Sequence, residues 1–284
     1  MRTYLECVPC FVRQTLEVAR MITGDTSVHE RALREVLHHA AEMDMSASPP
    51  AIGRTIHRII RRITGVADPY VEQKKRFNAF ALGLYPELSR RIDESGDPLS
   101  AAVRLAAAGN IIDLGAKSGL DQRQIHEALE HALTDTLDPG ELQAFRDGVQ
   151  KATSILYLGD NTGEIVFDRM LIERLPREKI TFAVRGKPII NDALMQDAID
   201  TGIADLVPVI DNGSDVPGTI LAECSPEFTE RFRHADMIIA KGQGNYETLS
   251  DVDAPVTFLL KIKCPVIAQD AGRDVGSLML QRKR

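Results

Sequence analysis

Ser154-Ile155-Leu156-Tyr157-Leu158-Gly159-Asp160-Asn161-Thr162-Gly163-Glu164 is an apolar run of strand length that ends in a polar turn. Residues of helical character follow at once, from Glu164 to Leu175. A short apolar strand feeding directly into a helix is the opening of a βα unit. In open α/β sheets, ligands sit outside the carboxyl ends of the strands. Asp160 and Asn161 therefore fall where that architecture places its chemistry. A carboxylate beside a carboxamide offers hard oxygen ligands of the kind that suit magnesium or manganese.

Working outward, the chain continues to alternate. Strand candidates are Ser154–Gly159, Ile180–Val184, Asp205–Ile210, Met237–Ala240, Thr257–Leu260 and Val266–Ala268. Helical segments fall between most of them, at Glu164–Leu175, Asp192–Thr201, Pro226–His234 and Asn245–Leu249. That order predicts a mainly parallel, doubly covered, Rossmann-like sheet. Before residue 150 the period is helical, as in Leu16, Ala19 and Ile22, and again in Ile52, Ile56, Ile59 and Ile63. Asp68-Pro69 and Asp97-Pro98 read as a cap followed by proline at the first helical position. Seven or eight helices and no substantial sheet are expected there. The expected organisation is a helical cap over residues 1–150 and an α/β metal-binding domain over residues 151–284, with the site between them.

Composition sets the outer bounds. The 284 residues carry a net charge of −7, with 44% hydrophobic and 26% charged residues. An acidic balance argues against a nucleic-acid backbone as partner. No apolar run reaches membrane-spanning length, and four cysteines do not make a secreted disulfide framework. The reading is a soluble, cytoplasmic protein with reduced thiols. Oligomeric state has no signature in the sequence.

Three strand ends carry polar residues that a core would not choose. They are Gly159-Asp160-Asn161, then Arg185-Gly186-Lys187-Pro188-Ile189-Ile190-Asn191-Asp192, then Lys241-Gly242-Gln243-Gly244-Asn245-Tyr246-Glu247. In a parallel sheet these ends share one edge. Metal-assisted phosphoryl chemistry needs oxygen ligands, cations for the phosphate and close backbone approach. Each residue also has a plainer role. Asp160, Asn161 and Asp192 are good helix caps, and Glu164 is a first-turn acid favoured by the helix dipole. Lys241 could be a solvated charge.

Taken in order along the chain, these motifs resemble those of the metal-dependent damage-control phosphatases, the family catalogued as domain of unknown function eighty-nine. The landmarks are Cys7-Val8-Pro9-Cys10, Asp68-Pro69-Tyr70, Ala108-Gly109-Asn110-Ile111-Ile112-Asp113, Gly159 to Glu164, Ile190-Asn191-Asp192, Lys241 to Glu247 and Phe258-Leu259-Leu260-Lys261. The resemblance implies a divalent metal (manganese, magnesium, nickel or cobalt) on Asp160, Asn161 and Asp192. It implies a small phosphorylated metabolite as substrate, a nucleotide or a sugar phosphate. Gln243, Gly244, Asn245, Tyr246, Glu247 and Lys261 would line its pocket, with Lys261 and Lys241 offsetting phosphate charge. Asn110 and Asp113 would add a second polar patch, and Glu164 would orient water or a ligand. Phe258, Leu259 and Leu260 stand where the sugar-phosphate branch carries Arg-Thr-x before its lysine. The cysteine pair points to the archaeal and bacterial branch.

Other readings remain open at this level. The nucleophile could be a metal-held water or Asp160 itself. Cys7 and Cys10 could be packed side chains, half a zinc site with Cys224 and Cys264, or a redox pair. His57 is expected in a surface or capping role, and the basic runs Arg58-Arg61-Arg62 and Lys74-Lys75-Arg76 on solvated helix faces. Arg282-Lys283-Arg284 is expected to be a frayed tail. Rival functions are an S-adenosylmethionine-dependent methyltransferase, an aspartyl phosphatase of the haloacid-dehalogenase type, and a non-catalytic metal- or nucleotide-binding regulator. The second of these needs an aspartate where Thr162 stands.

Overall fold

The computed structural model describes residues 1–109, 127 and 130–283. Asn110 and Asp113 lie outside the described residues. Among those described, six helices precede the first strand: α1 (Cys7–Ile22), α2 (Thr26–Glu42), α3 (Pro49–Thr64), α4 (Val71–Asp93), α5 (Pro98–Ala108) and α6 (Pro139–Lys151). Proline opens α3, α5 and α6, where its missing N–H leaves no bond unmade. Asp97 and Asp138 cap the last two by accepting from the backbone N–H of Ser100 and Glu141. Asp68-Pro69 behaves differently. Asp68 accepts from Tyr70 N–H in a turn, and α4 starts only at Val71.

The sheet follows as β1 (Ile155–Leu158), β2 (Ile180–Val184), β3 (Val209–Asp211), β4 (Met237–Lys241), β5 (Val256–Lys261) and β6 (Leu278–Arg282). Its order is β3-β2-β1-β4-β5-β6. The first five strands pair in parallel, and β6 runs antiparallel to β5. Between them lie α7 (Glu164–Ile172), α8 (Met195–Asp200), α9 (Pro226–His234), α10 (Gly242–Leu249) and α11 (Pro265–Ala271). The expected mainly parallel α/β sheet is thus the observed one.

Successive strand side chains face opposite ways, so each strand feeds two cores. Ile155 and Tyr157 of β1 join a core completed by α4, α5, α6 and α7, including Phe77, Leu105, Phe145 and Phe167. Leu156 and Leu158 join the opposite core, with Phe228, Ile238, Phe258 and Ile267. Helices α1 to α3 close over a third cluster of their own, built on Phe11, Val36, Ile56 and Tyr70. The N-terminal helices therefore divide into a three-helix cap and a set that covers one sheet face.

Several elements differ from the sequence reading. Val266–Ala268 is not a strand. It lies in α11, where Pro265 sits at the helix start and Cys264 Sγ accepts from Ile267 N–H. Three apolar residues carry no period that separates strand from helix. The sixth strand is Leu278–Arg282, so Arg282 is paired opposite Thr257 rather than frayed. Strand β3 begins at Val209, because Ile203 to Val207 turn back on themselves and Pro208 lacks an N–H for the ladder. Asp192 caps no helix. The N-cap of α8 is Leu194, whose N–H donates to the carboxylate of Asp197 in the first turn at 2.8 Å. No helix among the described residues is long and apolar enough to cross a membrane.

Candidate active site

The strand order reverses between β1 and β4, which opens a crevice at their carboxyl ends. Asp160 leaves β1 there, and Gly242 leaves β4 beside it. Gly242 has φ +76°, and a Cβ on it would overlap the Asp160 carboxylate. Only glycine meets both demands. From β2 the chain runs out through Arg185 and returns so that Asn161 and Asp192 form an isolated antiparallel bridge. Ala193 N–H donates to Asp160 O at 2.8 Å, and Thr162 N–H to Asn191 O at 2.9 Å.

These contacts bring Asp160, Asn161 and Asp192 together on one wall of a cavity of about 440 Å³, the size of a small-metabolite pocket. The same cavity is lined by Gln243, Gly244 and Glu247 of α10. It is closed by Glu6, Cys7, Cys10, Arg13, Gln14 and Glu17 of the cap, with Lys263 and Cys264 after β5. Burial raises Glu247 to about 8.

The electrostatics are those of a site short of positive charge. Asp160 is held well above the carboxylate range by burial first, then by Asp192 and Glu164, with Arg185 and Lys263 opposing. The Asn161 amide NH2 donates to Asp160 Oδ2 at 2.8 Å and reaches Glu164 Oε2 at 3.4 Å. Arg185 Nε donates to Asp192 Oδ2 at 2.7 Å, and its Nη2 lies 3.6 Å from Asp160 Oδ1. Beneath them, Lys241 Nζ bridges Glu164 Oε1 at 2.7 Å and Asp168 Oδ1 at 2.6 Å. Tyr157 OH also donates to Asp168 Oδ1. Burial raises Asp168 to about 6 despite Lys241.

Other expected site residues sit elsewhere. Lys241 is fully buried and committed to two carboxylates, so it does not face a phosphate. Lys261 pairs with Asp135 at 3.8 Å and is not among the residues lining this cavity. Among the described residues the cavity lysine is Lys263, two positions on, which the sequence reading passed over. Asn245 is buried and accepts from Thr219 and Arg185. Tyr246 packs on Phe258 and donates to Asp270. Phe258, Leu259 and Leu260 are buried in β5. Arg185 was also missed as a site residue. Its signal was a cation closing an apolar strand.

The cysteines do not assemble a zinc site. Cys7, Cys10 and Cys264 line the cavity, whereas Cys224 donates to Ile220 O. No group of three or more His, Cys, Asp or Glu among the described residues is placed to hold a metal. A cation at the sheet edge would therefore need the Asn161 amide oxygen beside its two aspartates.

Residues 3–279 match the profile of the damage-control phosphatase ARMT1-like domain. The chain belongs to this family of ARMT1-like damage-control phosphatases. Family relatives cover the whole molecule. An uncharacterised protein of Methanocaldococcus jannaschii is 37% identical across 98% of this chain and 94% of its own. A damage-control phosphatase of Pyrococcus horikoshii is 34% identical, covering 100% and 99%. One of Archaeoglobus fulgidus is 33% identical, covering 96% of each. The crystal structure of a family protein from Pyrococcus horikoshii superposes with a TM-score of 0.90 at 34% identity, over 100% of both chains. The shared ARMT1-like fold thus includes the cap, the sheet and the crevice between them. These relatives support a phosphatase role in damage control.

Proposed function

We propose that this protein is a divalent-metal-dependent phosphatase that hydrolyses small phosphorylated metabolites, nucleotides or sugar phosphates, as a damage-control enzyme. The observation that carries this is a charge imbalance. Asp160, Asp192, Glu164 and Asp168 are buried together with Arg185 and Lys241, four carboxylates against two cations. With all four carboxylates ionised the cluster is two positive charges short, the charge of one divalent ion, and without that ion burial shifts Asp160 and Asp168 toward their neutral forms. The donor set fits a hard cation such as manganese, magnesium, nickel or cobalt: Asp160, Asp192 and the Asn161 oxygen, with water completing the shell. Bound there, the ion would supply Lewis acidity toward a phosphoryl oxygen and lower the pKa of a coordinated water.

The protein's own groups account for the remaining tasks. Arg185 holds the Asp192 carboxylate in place and lies close to Asp160. Glu164 fixes the Asn161 amide and is itself fixed by Lys241, the kind of outer support that orients ligands. Lys263, with Gln243 and Gly244 at the start of α10, lines the cavity where phosphate oxygens would lie. The cap walls off the far side, and Arg13, Gln14 and Glu17 give it a polar surface for the leaving group.

The test is a phosphoester panel with magnesium, manganese, cobalt or nickel, and a chelator control. Turnover should vanish with chelator and return with metal. Asp160→Asn and Asp192→Asn should each lower it by about 100-fold or more. Turnover that survives both substitutions, or that ignores the chelator, would sink the assignment.

A further inference from the structure

Ile190 has φ +43°, the only positive value at a non-glycine among the described residues. It holds the first central position of the turn closed by Asp192 N–H donating to Ile189 O at 3.1 Å. That position favours glycine, and a β-branched residue there is strained. Such a residue persists only where its surroundings hold it.

Two sets of contacts do so. On one side the turn is pinned to the end of β1 by Thr162 N–H on Asn191 O and Ala193 N–H on Asp160 O. Glycine would make those backbone bonds equally well and without strain. On the other side the Ile190 side chain packs against the α1–α3 cluster, and Arg61 Nη1 donates to Pro188 O at 2.8 Å. Only the side chain needs isoleucine, and what it touches is the cap. Ile190 also lines the cavity itself, next to Asn191 and Asp192.

We propose that Ile190 is a positioning residue that couples the seating of the three-helix cap to the placement of Asp192. The proposal rests on the reading of Asp160, Asn161 and Asp192 as metal ligands. With the cap seated, the side-chain contact offsets the strained backbone and Asp192 faces Asp160. With the cap lifted, the turn relaxes and carries Asp192 away. Coupling is reciprocal, so metal at Asp192 steadies the cap.

The test needs no substrate. Full-length wild type, Ile190→Val and Ile190→Gly are titrated with Mn²⁺ by paramagnetic resonance of the free ion. Hydrogen exchange of α1–α3 is followed with and without Mn²⁺. Wild type and Ile190→Val should bind alike, with Mn²⁺ slowing exchange in the cap. Ile190→Gly accepts the positive φ and keeps the fold. Its Mn²⁺ affinity should stay at or above that of wild type, because no strained backbone is left to pull Asp192 away, while the Mn²⁺-dependent protection of the cap should disappear. Ile190→Asn, which also tolerates this backbone, is the second variant and should behave the same way. A dissociation constant raised more than twofold in Ile190→Gly, or undiminished Mn²⁺-dependent protection of its cap, overturns the proposal. Absence of Mn²⁺ binding by wild type, or unchanged binding by Asp160→Asn, overturns the ligand assignment instead.

Discussion

Lys241 shows how far one side chain's role depends on what surrounds it. Its ammonium sits at the end of β4, fully buried between Glu164 and Asp168. Removing one member of a buried ionic cluster costs about 3–5 kcal/mol, because the partners keep their charge without its counterion. Lys241→Met should therefore lower the unfolding free energy of the metal-free protein by about that amount. Tyr157→Phe, which gives up one hydrogen bond to Asp168, should cost about 1 kcal/mol. Urea denaturation of both variants measures the difference, and equal losses would show that the cluster is not held by charge. The sequence could name Lys241 as a cation at a strand end, but not which way it turned. A lysine that closes a strand can enter the core or leave it, and the deciding partner, Asp168, lies 73 residues earlier. The two aspartates were legible because each follows a strand end that the fold must bring to one edge. Lys261 was misplaced because neighbouring strand residues point to opposite faces, and because the loop after β5 brings Lys263 to the cavity instead.

At the scale of elements, helix α3 carries a consequence for acid stability. His57 is buried on it, not solvated, and burial first and Arg61 second push its pKa down to about 4. The neighbouring Arg58 and Arg61 are also not free surface charges, since both pair with Asp215 of the sheet half. Because the folded pKa of His57 lies below its unfolded value, its contribution is complete above pH 6.5 and is lost as pH falls through 4. Between pH 6.5 and 4.5 wild type should lose about 2 kcal/mol through this residue alone. His57→Leu should lose correspondingly less over the same interval. Urea unfolding at the two pH values tests this, and identical acid limbs for the two proteins would contradict it. Helix periodicity marked α3 correctly but could not show both of its buried flanks. One packs within the cap and the other on the β2–β3 side, and a single-face reading assigns the second to solvent. Strand β6 escaped for a related reason. An edge strand joined to an antiparallel partner needs no βα signature, so Leu278–Arg282 follows α11 without the alternation that announced the others.

For the whole molecule, the boundary near residue 150 divides sequence patterns more cleanly than it divides cores. Helices α4, α5 and α6 bury Phe77, Leu105 and Phe145 against Tyr157, Phe167 and Ile239 of the α/β half. Residues 151–284 expressed alone would leave that sheet face uncovered. The fragment is expected to lack the near-ultraviolet circular dichroism of a packed core and to bind a hydrophobic dye. A monomeric, cooperatively unfolding fragment would show instead that the α/β half is self-sufficient. The cap differs, since α1 to α3 enclose their own cluster and meet the rest through the cavity walls, Asp215 and the Ile190 turn.

The position of α5 has a further consequence in time. Eight of its eleven residues are buried, among them Ala101, Ala102, Val103 and Leu105, and they pack on α7 and β5. During synthesis the helix is complete at Ala108, yet its last partner strand, β6, ends at Arg282. At about 5–20 residues per second, the ribosome needs about 10–30 s to deliver that partner. Throughout the interval a largely apolar helix lacks part of the surface that buries it. Holding that segment apart from other nascent chains until the last strand arrives is the demand this fold makes on the cell that translates it.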